Sequence, residues 1–509
     1  MDKGVGRGGF LFPRIYQEGK AKVLKSLQQG EQDLMDVSRW ELADEFMAFI
    51  LQSKFLEFAD RTYPTPRVAH YVPVWFLLSC RVVMSLCCEC SYHTLWSLLR
   101  AGPILMRVGM NIVAPLGFNN KNKYPRITPL HPDTVRKYFK DTSAKAIRRW
   151  FTTDIQRWFH TQDVFDDQGI FVLDQTHIVV PDNKNYLGAI PMPVDEFGHL
   201  YPNLSQLSDE QKKVLRYHPC YVLSTLLHLA PQQQRFHFAA YEWDSGNTDE
   251  LTQARKIIDN FLGDNKQKIK LLIIDRGYIS GEFISYVKLQ YDVDVLLPLK
   301  TSMTQYIDAI ALSKLPDAAW VTVQPKGSIT SDPSRSVKAC TISDIKLWDQ
   351  CSVSLFTTVV NVEYSEGNDL VQRQYVLCST KPFQSADDVV IAYAMRITTE
   401  ERFRQLKLSW NVCDFSSPHA SLIETHIAFT LLTFSLLQLY LTNAKLQHKA
   451  KQMISSLKNE RHLDQSLVVY AQEHFGLFSP KEYLAIVTQL SQEARSKFNQ
   501  DLTDSSHQL

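Results

Sequence analysis

The chain has 509 residues, 45% apolar and 21% charged, with a formal net charge of +1. This is an ordinary globular composition with length for about two to four domains, and it excludes a polycation that would coat nucleic acid with its whole surface. Nine cysteines in no regular framework exclude a disulfide-stapled scaffold and point to a reducing, cytoplasmic setting.

Residues 1 to about 165 read mostly as helix. The start, MDKGVGRGGFLFPR, lacks the continuous apolar run of a secretory signal. Two apolar stretches resemble membrane spans, but Val72 to Cys90 contains Arg81 and Glu89, and Ile427 to Leu441 is short and contains Thr430, Thr433, Ser435 and Gln438. A span needs about 20 apolar residues, so both are predicted to be buried helices. Between Lys121 and Arg149 stand nine Lys/Arg against two Asp. Within that segment the spacing predicts a helix capped by Asp133 or Thr134, with Val135, Tyr138 and Phe139 inward and Arg136, Lys137 and Lys140 outward. Such a face suits either a DNA-contacting helix, of helix-turn-helix type, or a solvated basic surface.

From Ile170 the pattern turns to strands. GIFVLDQTHIVV is a short buried strand interrupted by Asp174; CYVLSTLLHLA and RFHFAAYEW follow. A helix from Thr248 to Gly263, a strand KIKLLIID ending at Asp275, a helix from Ser280 to Gln290 and a strand VDVLLPLK complete an order β-β-β-α-β-α-β. Residues 301–384 do not continue that pattern: WVTVQ, SVKACTI, SVSLFTTVVNVEY and QRQYVLCS read as strands with a hairpin at Glu366 to Asp369. Ser385 then starts a helix expected to run unbroken past Glu400 to about Trp410. A second, apolar helix covers about Leu422 to Leu441, and residues 446–509 are predicted to be a polar, helical tail.

Three acids stand apart. Asp174 sits in an apolar strand, where a carboxylate is costly unless it is paired or metal-bound. Asp275 closes a strand just before Arg276-Gly277-Tyr278, the kind of strand end at which α/β sheets place active groups. Glu400 belongs to the spacing Tyr393-(2)-Arg396-(3)-Glu400-(6)-Lys407. On one helix at about 100° per residue these four fall within roughly 60° of one another, a stripe too polar to fill a core. Glu401 points about 100° away, and Asp182, Asp292 and Asp294 are less well placed. Cys87, Cys88, Cys90 and His93 lack a second ligand pair and read as a buried helix end before a zinc site. Trp320 and Trp348 read as hairpin packing, and no phosphate-binding glycine loop appears.

This spacing, together with Asp-Arg-Gly-Tyr at 275–278, resembles the YREK-motif branch of the DDE-type bacterial insertion-sequence transposases. The resemblance spans about 170–442 in element order. It implies an α/β, ribonuclease H-like mixed five-stranded sheet at 166–300, with a β-strand insertion at 301–384, final core helices at 385–445 and a helical DNA-binding region at 1–165. It further implies a catalytic, metal-holding triad of Asp174, Asp275 and Glu400 with Mg²⁺ or Mn²⁺, the hard cations such oxygens prefer. A pair of such ions about 3.5–4 Å apart serves in-line attack on a phosphodiester. Tyr393, Arg396 and Lys407 would meet DNA phosphates. The implied partners are double-stranded transposon ends and target DNA, with a homodimer in the active complex and no membrane. A nuclease without strand transfer, or a non-catalytic DNA-binding derivative, fits the same residues less fully.

Overall fold

The computed structural model describes residues 17–38, 41–67, 72–95, 130–446 and 466–506, less 182–183, 196–199, 202–203, 205–206, 232–234, 265–268, 324–335, 343–347, 349 and 367–368. The start of the chain, the basic residues 121–129 and Asp182 lie outside these. The chain divides into two compact units, one of residues 159–405 and one of residues 1–158 with 406–509.

The 159–405 unit is built on one ten-stranded mixed sheet. Its strands are β1 (Ile170–Val179), β2 (Ile190–Val194), β3 (Arg216–Ala230), β4 (Arg235–Ser245), β5 (Leu271–Ile274), β6 (Asp294–Pro298), β7 (Trp320–Thr322), β8 (Ser336–Ile342), β9 (Phe356–Glu366) and β10 (Asp369–Ser379). The core order is β4-β3-β1-β5-β6, with β1, β5 and β6 mutually parallel and β3 and β4 antiparallel. This is the ribonuclease H-like arrangement, and the chain forms it because β1 and β5 are apolar enough to be central: Phe171, Val172, Leu173 and all of Leu271 to Ile274 are buried. Helices α1 (Glu250–Asp264) and α2 (Gly281–Tyr291) supply the crossovers that parallel neighbours require. Ala254, Ile257, Ile258 and Phe261 of α1 and Phe283, Ile284 and Val287 of α2 close the core over Phe171 and Leu173.

Local signals set these boundaries. The Asp249 carboxylate accepts from the Thr252 backbone N–H at 2.9 Å, so Asp249 caps α1 where the sequence pointed to Thr248. Ser280 Oγ accepts from Phe283 N–H at 3.2 Å and caps α2, the helix that the sequence starts at Ser280. Ser280→Ala is expected to cost about 1 kcal/mol, measured as a lower urea midpoint for unfolding of this unit.

The 301–384 segment extends the same sheet. β10 pairs antiparallel with β6, Leu377 to Ser379 against Leu296 to Pro298, and β9, β8 and β7 follow outward. Trp320 donates its Nε1–H to the Ser313 carbonyl at 3.0 Å, and both Trp320 and Trp348 pack, partly buried, against the core of this unit.

The other unit centres on the buried helix Ala420–Asn443. Among the described residues it is the one helix long and apolar enough to cross a membrane, yet 94% of its most apolar stretch is buried within the fold. Helices Glu41–Gln52, Val74–Leu86, Pro132–Asp141 and Ala144–Trp150 pack around it. Trp150 stacks on Phe429 at 5.9 Å between ring centroids. Buried Arg81 donates to His426 Nδ1 at 2.8 Å; burial and then the Arg81 charge push that imidazole down to about 3, so it accepts as the neutral ring.

Both chain ends of this unit contain strands that the periodicity did not show. Gln17–Glu18, His474–Phe478, Ser466–Ala471 and Leu34–Ser38 form a four-stranded sheet in that order. The expected all-helical tail at 446–509 therefore begins, in its described part, with a hairpin. Its two-residue turn, Gln472-Glu473, has φ of 47° and 69°. A tight primed turn needs that left-handed backbone, ordinarily signalled by Asn-Gly, and here two long polar residues adopt it.

Candidate active site

Strand register brings two of the acids together. The last β1–β5 pair is Leu173 beside Ile274, so Asp174 and Asp275 stand one step further on, side by side on neighbouring parallel strands. Asp174 is 8% exposed and Asp275 opens a 3₁₀ turn, Arg276–Tyr278, with Tyr278 N–H bonded to the Asp275 carbonyl at 3.1 Å.

The third acid arrives on a helix that differs from the expectation. The single helix expected from Ser385 to Trp410 is two, α3 (Ala386–Ala394) and α4 (Ile397–Leu408), broken at Met395-Arg396. The backbone tightens there to i→i−3 bonds, Arg396 N–H to Tyr393 O at 3.0 Å and Thr399 N–H to Arg396 O at 2.9 Å. No glycine or proline makes the break. It falls just before the β-branched run Ile397-Thr398-Thr399, and the Thr398 hydroxyl takes the Met395 carbonyl at 2.5 Å, in competition with a helical bond. Tyr393 thus lies on α3, Arg396 at the junction, and Glu400 and Lys407 on α4.

All three acids meet one guanidinium. Arg396 Nη1 lies 3.1 Å from Asp174 Oδ2 and 3.5 Å from Asp275 Oδ2, and Nη2 lies 2.6 Å from Glu400 Oε1. Burial pulls the guanidinium down, but the Tyr393 hydroxyl and the three carboxylates outweigh it and hold Arg396 more firmly charged than usual. For Asp174 burial wins in the other direction. It lifts the carboxyl from 3.8 to about 6 against the attraction of Arg396, with Asp275 and Glu400 adding repulsion. Burial likewise raises the Tyr393 hydroxyl, opposed by Arg396.

The competing acids are engaged elsewhere. Glu401 is bound by Arg404, both contacts at 2.8 Å, which holds its carboxyl down at about 2. Asp294 pairs with Lys288 at 2.9 Å, and so does Asp292 at 2.8 Å. One acid that the sequence reading passed over does belong to this neighbourhood. Glu250, in the first turn of α1, feels Asp275; burial first, then Asp275 and Asp249, push its carboxyl up, with Lys300 opposing. An acid in a first helical turn is so common a helix-dipole partner that nothing in its spacing marks it.

As a donor set the convergent group is all carboxylate oxygen, the chemistry of a hard divalent cation. The point of convergence is bridged by Arg396, and among the described residues no group of three Asp, Glu, His or Cys side chains is already spaced to ligate an ion directly. Admitting a cation therefore requires Arg396 to turn aside. The Cys87 to His93 segment gathers no metal-binding group either: Cys88 donates to the Ser409 carbonyl at 2.8 Å, and all nine cysteines are free.

The remaining basic residues belong to the other unit. Lys407 is about 10 Å along the axis of α4 from Glu400. Arg136 and Lys137 sit on helix Pro132–Asp141, which His131 caps and which buries Val135, Tyr138 and Phe139 as expected. Both cations bind Asp133, at 2.7 and 2.9 Å, while Lys140 is exposed. Arg148 of the same basic segment is a structural ion pair, Nε and Nη2 on the two oxygens of fully buried Glu424 at 3.1 and 2.6 Å.

A family model described as a transposase DDE domain matches residues 166–436. No curated protein matches the chain.

Proposed function

We propose that this chain, which belongs to the transposase DDE-domain family, is an insertion-sequence transposase of the YREK type that cuts DNA at element ends and joins the freed 3′ ends to target DNA. The observation that supports this most is the meeting of Asp174, Asp275 and Glu400 on Arg396, from two strand ends and a helix remote in sequence. In this reading the three carboxylates hold Mg²⁺ or Mn²⁺, and the cation supplies charge neutralisation and oxygen activation for in-line phosphodiester chemistry. Asp174 and Asp275, fixed on adjacent strands, set the rigid half of the site. Glu400 completes it from α4, whose junction with α3 lets that half adjust.

Arg396 changes partner. Released from the acids, its planar fork turns to a phosphate oxygen, a geometry that lysine does not reproduce. Tyr393 donates its hydroxyl to a neighbouring phosphate, and Lys407 meets the backbone further along the duplex. The exposed part of the 132–149 segment, Lys140 with Arg136 and Lys137, contacts transposon ends, and two chains act on two ends.

The test is a joining assay on a pre-cut 3′ end with Mg²⁺ present. Strand transfer that stops on chelation is the expected result. Cutting without joining assigns a nuclease instead, and end binding with neither reaction assigns a DNA-binding derivative.

A further inference from the structure

Resting on that reading of the acids, we infer that the first turn of α1 is a positioning device that sets the separation of Asp174 and Asp275 through Gln253 and Glu250. These two residues are three apart on one helix, so they share a face. Each touches the immediate neighbourhood of a different acid.

Gln253 is 1% exposed and reaches the strand that bears Asp174. Gln175 Nε2 donates to Gln253 Oε1 at 3.0 Å and to Ser224 Oγ at 3.2 Å, and the Ser224 hydroxyl also donates to Gln253 Oε1. Gln175 and Ser224 are register partners on β1 and β3. The amide thus ties α1 to both strands directly behind Asp174, whose side chain leaves β1 on the opposite face.

Glu250 does the same for the other acid by contact. A Cβ placed on Gly277 would sit 1.5 Å from Glu250 Oε2 and 2.4 Å from its carboxyl carbon. The carboxylate therefore fills the space that any side chain at 277 would need, two residues after Asp275. The glycine in Asp-Arg-Gly-Tyr lets this wedge close on the backbone, and a side chain there would have to push the Glu250 carboxylate aside; its φ is not in the left-handed region, so contact rather than backbone conformation favours glycine. Tyr278, 1% exposed, anchors the turn in the core. A single helical turn thereby braces the backbone beside both acids.

The experiment uses the full chain without DNA and measures Mn²⁺ binding by the electron paramagnetic resonance of the free ion, alongside thermal melting. Asp275→Asn is the control for the site itself: unchanged Mn²⁺ binding in that variant sinks the metal-site reading. With that control weakened as expected, Glu250→Ala and Gln253→Leu should each raise the Mn²⁺ dissociation constant about tenfold, the scale of a lost supporting contact at a metal site. Gly277→Ala should match Glu250→Ala, and the double variant should be no worse than either, because both lesions remove one contact. Glu250→Gln, which keeps the shape of the wedge and guards against misfolding of the alanine variant, should stay within about twofold of the parent, far inside that tenfold scale. Wild-type Mn²⁺ binding in Glu250→Ala and Gln253→Leu, additive losses in the double variant, or a Glu250→Gln loss equal to that of alanine would each overturn the inference.

Discussion

Asp174→Asn should abolish strand cleavage, by about 10³-fold or more, and at the same time make the metal-free protein more stable. Asp174 is buried, and burial lifts its carboxyl from 3.8 to about 6 even with Arg396 at 3.1 Å. The folded chain therefore keeps this proton at a pH where the unfolded chain has lost it. Its contribution to stability is fully present below about pH 4 and is lost as the pH rises through about 6. At pH 8 the parent carries a penalty on the order of 1–3 kcal/mol that asparagine removes. Melting curves of the two proteins in chelator should separate at pH 8 and converge near pH 4. A variant less stable than its parent at pH 8 would show that the ion pair with Arg396 outweighs desolvation.

The second large effect lies in the helical unit. Glu424 has no exposed surface, and Arg148 holds it with a two-pronged contact. Removing one partner of a buried pair takes its main compensation from the other charge, at a cost of up to about 3–5 kcal/mol. Arg148→Ala is expected to unfold the helical unit at much lower urea than the parent. Arg148→Lys keeps the charge but loses the fork, and should fall between them. DNA affinity corrected for the unfolded fraction should hardly change, which separates Arg148 from Lys140 in the same basic segment.

Much of the catalytic unit was legible because its signals are local. Asp174 breaks an apolar strand, Asp275 ends one, a helix starts near Ser280, and alternating strand chemistry marks the insertion. The alignment of Asp174 with Asp275 depends on parallel register, which family resemblance supplied and periodicity could not. The break at Met395-Arg396 was missed because its cause is a run of ordinary β-branched residues rather than proline or glycine. The basic segment was only partly legible for a different reason. A count of cations does not show that Arg148 is spent on Glu424, 276 positions away, or that Asp133 takes up Arg136 and Lys137. Glu250 and Gln253 were invisible because only tertiary contact distinguishes them from surface residues of an amphipathic helix. The terminal sheet pairs strands from opposite ends of the chain, and its turn lacks the usual residues.

The seam between β6 and β10 makes the insertion inseparable from the catalytic sheet. Excising residues 301–384 would strip β6 of its outer neighbour among the described strands and leave a raw row of amide and carbonyl groups along Leu296 to Pro298, flanked by apolar side chains. Such an edge recruits strands from other molecules. A trimmed version of this enzyme would therefore tend to clump unless the cut were covered by a charged or proline-bearing replacement strand.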